Sequence, residues 1–293
     1  PGIILLLINF GCISEIIAAK YELLQPPVNK EIAWNPKIPV TPAKDTIIDG
    51  KTNKDSGAVV TTNNDFKGQY TTANRLHFQM IDSMAKIILE YPLKDSVGLS
   101  YAAEWVGTPN MGLRRPNYVI IHHTATNNCN NVIQEFTTPG GREASAHYLI
   151  CKDGTVHHML NDLLRAHHAG VSKWGNTTDL NSSSIGIELD NNGFEIFSEP
   201  QMNSLLILLD RLKRAYSIPT SNFIGHGDIA PTRKNDPNWR FHWKTLSEKG
   251  FGNWYDDATN VALPVGFNHL QALRLVGFDT KDTTAAIIGF KRH

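Results

Sequence analysis

Short apolar runs alternate with amphipathic segments between about residues 95 and 258 of the chain. A continuous β-branched run at 118–121 predicts a buried central strand. Two further apolar runs, 146–150 and 156–159, flank a Lys-Asp-Gly-Thr turn and predict a β-hairpin. A fourth strand is expected at 184–189.

The alternation inside this fourth strand separates two faces. Ile185, Ile187 and Leu189 share one face, which leaves Gly186 and Glu188 on the other. A carboxyl group on a predicted strand between apolar neighbours needs a chemical reason, because burial of an unpaired charge is costly.

Helical periodicity fills the intervals between these strands. Ser198 begins a capping pattern, followed by apolar residues at helical spacing up to Leu212, and Ile218-Pro219 ends the predicted helix. A shorter helix is expected around Val132, Ile133 and Phe136. Strands alternating with helices, together with one hairpin, predict an α/β fold with a mixed central β-sheet flanked by helices.

The remainder of the chain divides into three further segments. Residues 1–19 contain an apolar run that fits an export signal, and Gly11-Cys12 predicts either a lipidated cysteine or an ordinary cleaved signal, with a buried strand as the third alternative. Residues 20–70 are rich in Pro, Lys, Asp, Thr and Asn and indicate a flexible linker. The main domain is placed at 71–258, beginning with an amphipathic helix expected to pack on it, and 262–293 predict a small helical C-terminal segment.

Charge and cysteine content exclude several classes of protein. The 28 basic residues balance the 28 acidic residues, which argues against a nucleic-acid binder. The three cysteines are too few for a disulfide framework. Cys129 and Cys151 are expected to be inert thiols that could pair if the chain is exported.

Histidines are concentrated in one part of the chain, since eight of the twelve lie between His122 and His226. A hydrolytic zinc site needs three nitrogen or oxygen ligands, an open position for water and a nearby base. His122 follows the central strand, His226 lies in a glycine-flanked turn, and Asp236 follows ten residues later. These three residues are the candidate ligands, and Glu188 is the candidate base.

Five sequence blocks, in one order over residues 115–245, resemble the zinc-dependent N-acetylmuramoyl-L-alanine amidases, a family that includes phage lysozyme-type amidases and peptidoglycan recognition proteins. The blocks are Ile-Ile-His-His-Thr-Ala at 120–125, Ser-Ala-His-Tyr at 145–148, His-Ala-Gly-Val-Ser-Lys-Trp at 168–174, Ile-Gly-Ile-Glu-Leu at 185–189 and Gly-His-Gly-Asp-Ile-Ala-Pro at 225–231, continuing to Asp236.

The resemblance implies a role for each matching residue. His122, His226 and Asp236 would bind Zn²⁺, with His122 preferred over His123 because it directly follows the strand. Glu188 would activate the water, and Lys234 would stabilise the oxyanion. His168 and Trp174 would contact substrate from the cleft wall, although core packing is the alternative for Trp174. Arg233 is a candidate partner for a carboxylate of the stem peptide.

The resemblance also implies a function and a location. The reaction would be hydrolysis of the amide between N-acetylmuramic acid and L-alanine in peptidoglycan or muropeptides, in the bacterial envelope or outside the cell. The alternatives are a non-catalytic peptidoglycan receptor and a zinc peptidase that cuts within the stem peptide. A monomer is expected, and a lipid anchor at Cys12 is one of the alternatives that the N-terminal sequence leaves open. The C-terminal segment resembles part of a peptidoglycan-binding module, and a helical brace docked on the main domain is its alternative.

Overall fold

The computed structural model describes residues 68–89, 112–256 and 261–293. The predicted export segment with Cys12 and nearly all of the predicted linker lie outside this range. The chain forms two compact units. Helix α1 (Thr71–Leu89) belongs to one unit, and all other described elements belong to the other. Helix α1 confirms the expected N-terminal helix, whereas its packing on the main domain stays a prediction. Among the described helices, none combines the length and apolarity needed to cross a bilayer.

A five-stranded mixed sheet forms the centre of the main unit. Its strands are β1 (Tyr118–His123), β2 (Tyr148–Ile150), β3 (Val156–His158), β4 (Ser184–Leu189) and β5 (Phe223–Gly225), in the spatial order β3-β2-β4-β1-β5. Strands β2, β4, β1 and β5 are parallel, and β3 pairs antiparallel with β2. The predicted mixed sheet, its central strand and its hairpin are confirmed.

The strand alternation decides which side chains face which helical layer. Val119, Ile121 and the three apolar residues of β4 pack against helix α4 (Glu199–Tyr216). Ser198 caps this helix, since its side chain accepts a hydrogen bond from the Gln201 N–H at 3.3 Å. Between helices α1 and α4 lie two shorter helices, α2 (Cys129–Thr137) and α3 (Leu180–Ser183).

The opposite face of the sheet is covered by the C-terminal part of the chain. On this face lie α5 (His226–Ile229), α7 (His269–Val276) and α8 (Thr283–Arg292). Helix α6 (Trp243–Glu248) instead packs through Trp243 and Leu246 in the cluster of helix α4. Leu273, Phe278 and Ala286 pack with Ile120 and Trp174 in one buried cluster. The predicted C-terminal helices are therefore present. They dock on the main domain, as expected if this segment is a helical brace.

A disulfide joins Cys129 and Cys151, whose Cα atoms are 5.6 Å apart. This differs from the expectation that both are inert thiols, and it agrees with the alternative that they pair. The two cysteines follow β1 and β2 in the chain, and β4 lies between those strands. Their approach is a tertiary contact, so no local sequence pattern could indicate it.

Candidate metal and active site

The first two site residues stand at the ends of neighbouring parallel strands. His122 of β1 and Glu188 of β4 are paired in the register of the sheet, so their side chains leave the same face. That face carries Gly186 and Ile120 one pair earlier. The alternation predicted from the sequence therefore brings the imidazole and the carboxyl group together.

A closed loop returns the chain from His226 to Asp236. The Gly227 N–H donates to the Asp236 carbonyl at 2.7 Å, and the Lys234 N–H donates to the Ala230 carbonyl at 3.0 Å. The Gly225 N–H donates to the Asp228 side chain at 2.7 Å, which fixes the turn where β5 meets α5. Asp236 consequently lies over His226, although ten residues separate them in sequence.

The three predicted ligands converge on one point through three donor atoms. His122 Nδ1 lies 3.0 Å from His226 Nδ1 and 3.1 Å from Asp236 Oδ2. His226 Nδ1 lies 3.0 Å from the same oxygen. All three residues are buried, and their ligand atoms lie close enough together to hold one metal ion.

This donor set fits zinc in chemistry and in spacing. Tetrahedral zinc with nitrogen and oxygen ligands at about 2.0–2.1 Å separates neighbouring ligand atoms by about 3.3 Å, close to the distances found here. His226 Nε2 lies 3.1 Å from the Ala169 carbonyl, which can only accept a hydrogen bond. In the neutral ring Nε2 therefore carries the proton, and Nδ1 presents a lone pair to the site.

The electrostatics of the site favour the ligand forms of these residues. Burial, together with the neighbouring His226, lowers the pKa of His122 to about 4, although Asp236 opposes this change. Burial alone would raise the pKa of Asp236, but the interactions of its carboxylate with the His122 and His226 rings outweigh burial and hold that pKa well below its usual range. At neutral pH the site thus offers an uncharged His122 imidazole and an ionised Asp236 carboxylate, the forms that metal coordination requires.

Glu188 lies beside this triangle without being part of it. Its Oε1 is 3.9 Å from His122 Nδ1, and its buried Oε2 has no hydrogen-bond partner among the described residues. Burial, followed by the charge of Asp236, raises the pKa of Glu188 to about 8, and Lys234 opposes the rise. A buried carboxyl oxygen without a partner indicates a position for a ligand such as water.

Lys234 lies near enough for its charge to lower the pKa values of Glu188 and His122. Its side chain is partly exposed, whereas its backbone is fixed within the ligand loop. A cation at the edge of a partly buried acid and three candidate ligands suits the stabilisation of developing negative charge.

His168 takes a position different from the predicted cleft wall. Its Nδ1 lies 3.0 Å from His122 Nε2, and its Nε2 lies 3.2 Å from Ser184 Oγ. The ring covers Gly186, where a Cβ atom would come within 2.4 Å of it. His168 therefore lies behind the candidate ligand His122, in contact with the sheet.

Trp174 lies in the core instead of forming a cleft wall. Only 9% of its surface is exposed, and its ring meets Phe278 edge-on with centroids 5.1 Å apart. The ring also fills the space beside Gly277, where a Cβ atom would lie 2.4 Å away. Its position is that of the packing alternative, joining the main domain to the C-terminal helices.

Arg233 is bound by the backbone of a neighbouring loop. Its Nε donates to the Val171 carbonyl at 2.9 Å, and its Nη2 donates to the Ala169 carbonyl. Ala169 is the same residue whose carbonyl accepts from His226. The guanidinium thus supports the loop behind the candidate ligands, and its contact with a stem-peptide carboxylate stays a prediction.

The sequence analysis did not identify three residues that hold His168 in place. Ser184 and Gly186 contact His168 as described above, and Asn181 Oδ1 accepts from the His168 and Ala169 N–H groups at 3.0 and 2.8 Å. One signal was available, because a glycine inside a buried strand often marks a close approach by another group.

Comparison with known proteins identifies relatives with a named activity. The family model described as N-acetylmuramoyl-L-alanine amidase matches residues 112–239. The amidase AmiD of Escherichia coli is 32% identical over 210 residues, which cover 61% of this chain and 75% of the relative. The 1,6-anhydro-N-acetylmuramyl-L-alanine amidase AmpD of Haemophilus influenzae is 38% identical over 101 residues, covering 34% of this chain and 55% of that relative.

Solved structures give the same result for the fold. The complex of E. coli AmiD with anhydro-N-acetylmuramic acid-L-Ala-D-γ-Glu-L-Lys is 28% identical, with a TM-score of 0.55 over 64% of this chain and 83% of that one. AmpDh3 of Pseudomonas aeruginosa, with an anhydromuramic pentapeptide, is 29% identical, with a TM-score of 0.55 over 67% and 88% of the two chains. In sequence and in fold, this chain belongs to the N-acetylmuramoyl-L-alanine amidase family.

Proposed function

We propose that this protein hydrolyses the amide bond between N-acetylmuramic acid and L-alanine in peptidoglycan or its muropeptide fragments. The observation that carries the proposal is the convergence of two imidazole nitrogens and one carboxylate oxygen, with the partnerless Glu188 oxygen beside them. The relatives named above act on this bond according to their names, and one of them is seen with such a fragment as its substrate.

In this proposal His122, His226 and Asp236 hold one Zn²⁺ ion. When bound, zinc supplies a Lewis acid that polarises the scissile carbonyl and acidifies water. Hydrogen bonding from His226 Nε2 to Ala169 keeps that ring in its ligand orientation. All three ligands are buried, and burial strengthens electrostatic interactions in the site.

Glu188 would accept a proton from the attacking water and later deliver it to the departing L-alanine nitrogen. Its position suits both steps, because its partnerless Oε2 lies beside the three ligands, where a carboxyl group can take a proton from water and return it. Lys234 would stabilise negative charge on the carbonyl oxygen as the tetrahedral carbon forms.

The decisive experiment measures zinc and products together. Protein loaded with one equivalent of zinc is incubated with a muramoyl peptide, and the fragments are identified by mass spectrometry. A free lactyl carboxyl group and a peptide beginning with L-alanine would support the amidase. Binding without cleavage would support the receptor alternative, and fragments cut inside the stem peptide would support the peptidase.

We also propose that the protein acts in the bacterial envelope, carried there by the apolar segment at residues 1–12 and anchored through Cys12. The support is the sequence pattern together with relatives whose named substrates are cell-wall material. Mass analysis of the mature N-terminus in the native host tests this, because an acylated Cys12 would support the anchor and an unmodified Cys12 within the mature chain would contradict it.

A further inference from the structure

The two histidine ligands are oriented in different ways. His226 Nε2 donates directly to a backbone carbonyl, that of Ala169. His122 Nε2 instead faces a second imidazole, since His168 Nδ1 is 3.0 Å away. Either nitrogen of a neutral imidazole can carry the proton, and Asp236 Oδ2, 3.1 Å from His122 Nδ1, can accept it on that side. The tautomer of His122 therefore depends on whether the groups behind His168 hold the proton on Nε2.

A chain of hydrogen bonds with one possible direction lies behind His168. Ser184 Oγ donates its single proton to the Leu180 carbonyl, which can only accept. The same hydroxyl lies 3.2 Å from His168 Nε2 and must therefore accept there. With the proton on Nε2, His168 presents a bare Nδ1, which accepts from His122 Nε2–H. The remaining nitrogen of His122, Nδ1, is then free to bind a metal.

The sheet and the adjoining loop leave His168 little freedom. Asn181 Oδ1 accepts from its backbone N–H at 3.0 Å. Gly186 lies directly under the ring, with 2.4 Å between the ring and the position of an added Cβ atom. Any larger residue at position 186 would displace the ring, so Gly186 makes the contact with His122 possible.

We propose that His168 is a positioning residue that holds His122 in the tautomer and orientation required for zinc binding, with Ser184 setting the direction of its hydrogen bonds. The proposal rests on the metal site of the proposed function. It assigns His168 to the support of the metal instead of to contact with the substrate.

Zinc affinity of the metal-free protein tests this role without any substrate. Competition with a chromogenic chelator would give the Kd of wild type, His168→Phe, His168→Gln and Ser184→Ala. Phenylalanine keeps a ring but removes the acceptor, and we expect the Kd to rise by about 10- to 100-fold. Glutamine at position 168 restores an acceptor and should recover part of the lost zinc affinity. Ser184→Ala should raise the Kd by a smaller factor, because it removes only the hydroxyl that accepts from His168 Nε2 and leaves the His168–His122 contact in place.

His167→Gln is the matched control, because the neighbouring histidine is exposed and should keep wild-type affinity. Long-range ¹H–¹⁵N spectra of the imidazoles provide a second readout that packing alone would not change. His122 should carry its proton on Nε2 in wild type, and this preference should weaken in His168→Phe. The glutamine and alanine variants keep the test decisive if the phenylalanine variant fails to fold.

Wild-type affinity in His168→Phe, or a His122 ring protonated on Nδ1 in the wild-type protein, would overturn the proposal. A wild-type protein that takes up no zinc would overturn it together with the proposed metal site. A protein that binds zinc but cleaves no muramoyl peptide would overturn the proposed reaction alone.

Discussion

The strand ends and the loop at residues 167–174 differ in where their side chains point. Side chains at the strand ends face into the site, whereas those of the loop pack behind it. His122 and Glu188 project into the site from paired positions on adjacent strands. His168 and Trp174, on the loop, turn inward to a ligand and to the core. The strands thus present the chemical groups, and the loop supplies the surroundings that hold them in place.

This difference reflects how each backbone is constrained. A strand in the middle of a sheet has a fixed alternation, so one residue in two must face the same layer. A loop has no such period, and each side chain is placed by whichever distant group it meets. Four predictions test how far this division holds, from the largest expected effect to the smallest.

Asp236→Ala should abolish tight zinc binding, because only two imidazoles would remain. We expect the zinc Kd to rise by more than about 100-fold, since even residues behind a ligand contribute 10- to 100-fold. Asp236→Cys is the matched variant and should retain zinc, because a thiolate can replace the carboxylate. Undiminished zinc content in the alanine variant after dialysis against a chelator would reassign the third ligand.

Glu188→Gln should retain zinc but reduce kcat by about 10²- to 10⁴-fold, the usual contribution of a general base. Glu195→Gln is a suitable control, because Glu195 follows the same strand but pairs with Lys152 at 2.8 Å. Its kcat should stay at the wild-type value. Steady-state kinetics on a muramoyl peptide would measure both, and a Glu188→Gln enzyme of near-normal kcat would remove this residue from the mechanism.

Trp174→Ala should lower the free energy of unfolding by about 3–5 kcal/mol, because it leaves a cavity between the main domain and the C-terminal helices. Trp239→Ala is the control, since this tryptophan is 66% exposed and its removal should change stability by less than about 0.5 kcal/mol. Denaturant unfolding measures both variants. Unchanged stability with a raised KM in Trp174→Ala would restore its predicted place on the cleft wall.

His147 should make the protein sensitive to acid. It accepts from the Gly186 N–H at 3.0 Å through Nδ1, and burial lowers its pKa to about 4 from the model-peptide value of 6.5. The unfolded chain therefore binds the proton more tightly, so stability should fall as the pH drops from 6.5 to 4, by about 3 kcal/mol for this group.

His147→Gln isolates this contribution from those of the other histidines. The difference in unfolding free energy between wild type and the variant, measured on the metal-free proteins, should vary between pH 6.5 and 4 and stay constant above pH 6.5. A difference that does not vary across that window would show that His147 is not held neutral by burial.

The sequence predicts the placement of the two site residues that lie on the sheet, His122 and Glu188. The register of the strands confirms this placement. The apolar run of β1 and the alternation of β4 place His122 and Glu188 on one face of the sheet. The glycine-flanked His226 and the nearby Asp236 could be linked to them by chemistry, because zinc requires such a set. The roles of these residues in catalysis stay predictions.

The supporting residues could not be predicted in the same way. Three contacts join parts of the chain that are distant in sequence. They are the approach of His168 to Gly186, the hydrogen bonds of Arg233 to the loop at 169–171 and the disulfide between Cys129 and Cys151. Each depends on a partner whose position is set by the complete fold. Gly186 offered a partial signal, since its missing side chain marks where another group can enter.

The amino-acid sequence by itself determined the strands, the helix at 199–216 and the chemical types gathered for a metal, because periodicity and functional groups are local properties. Only the tertiary structure decided that His168 turns toward His122, that Trp174 joins the core and that the C-terminal helices cover the sheet. The physical reason is that a loop side chain settles where distant surfaces leave room and hydrogen-bond partners, and those surfaces exist only once the chain has folded.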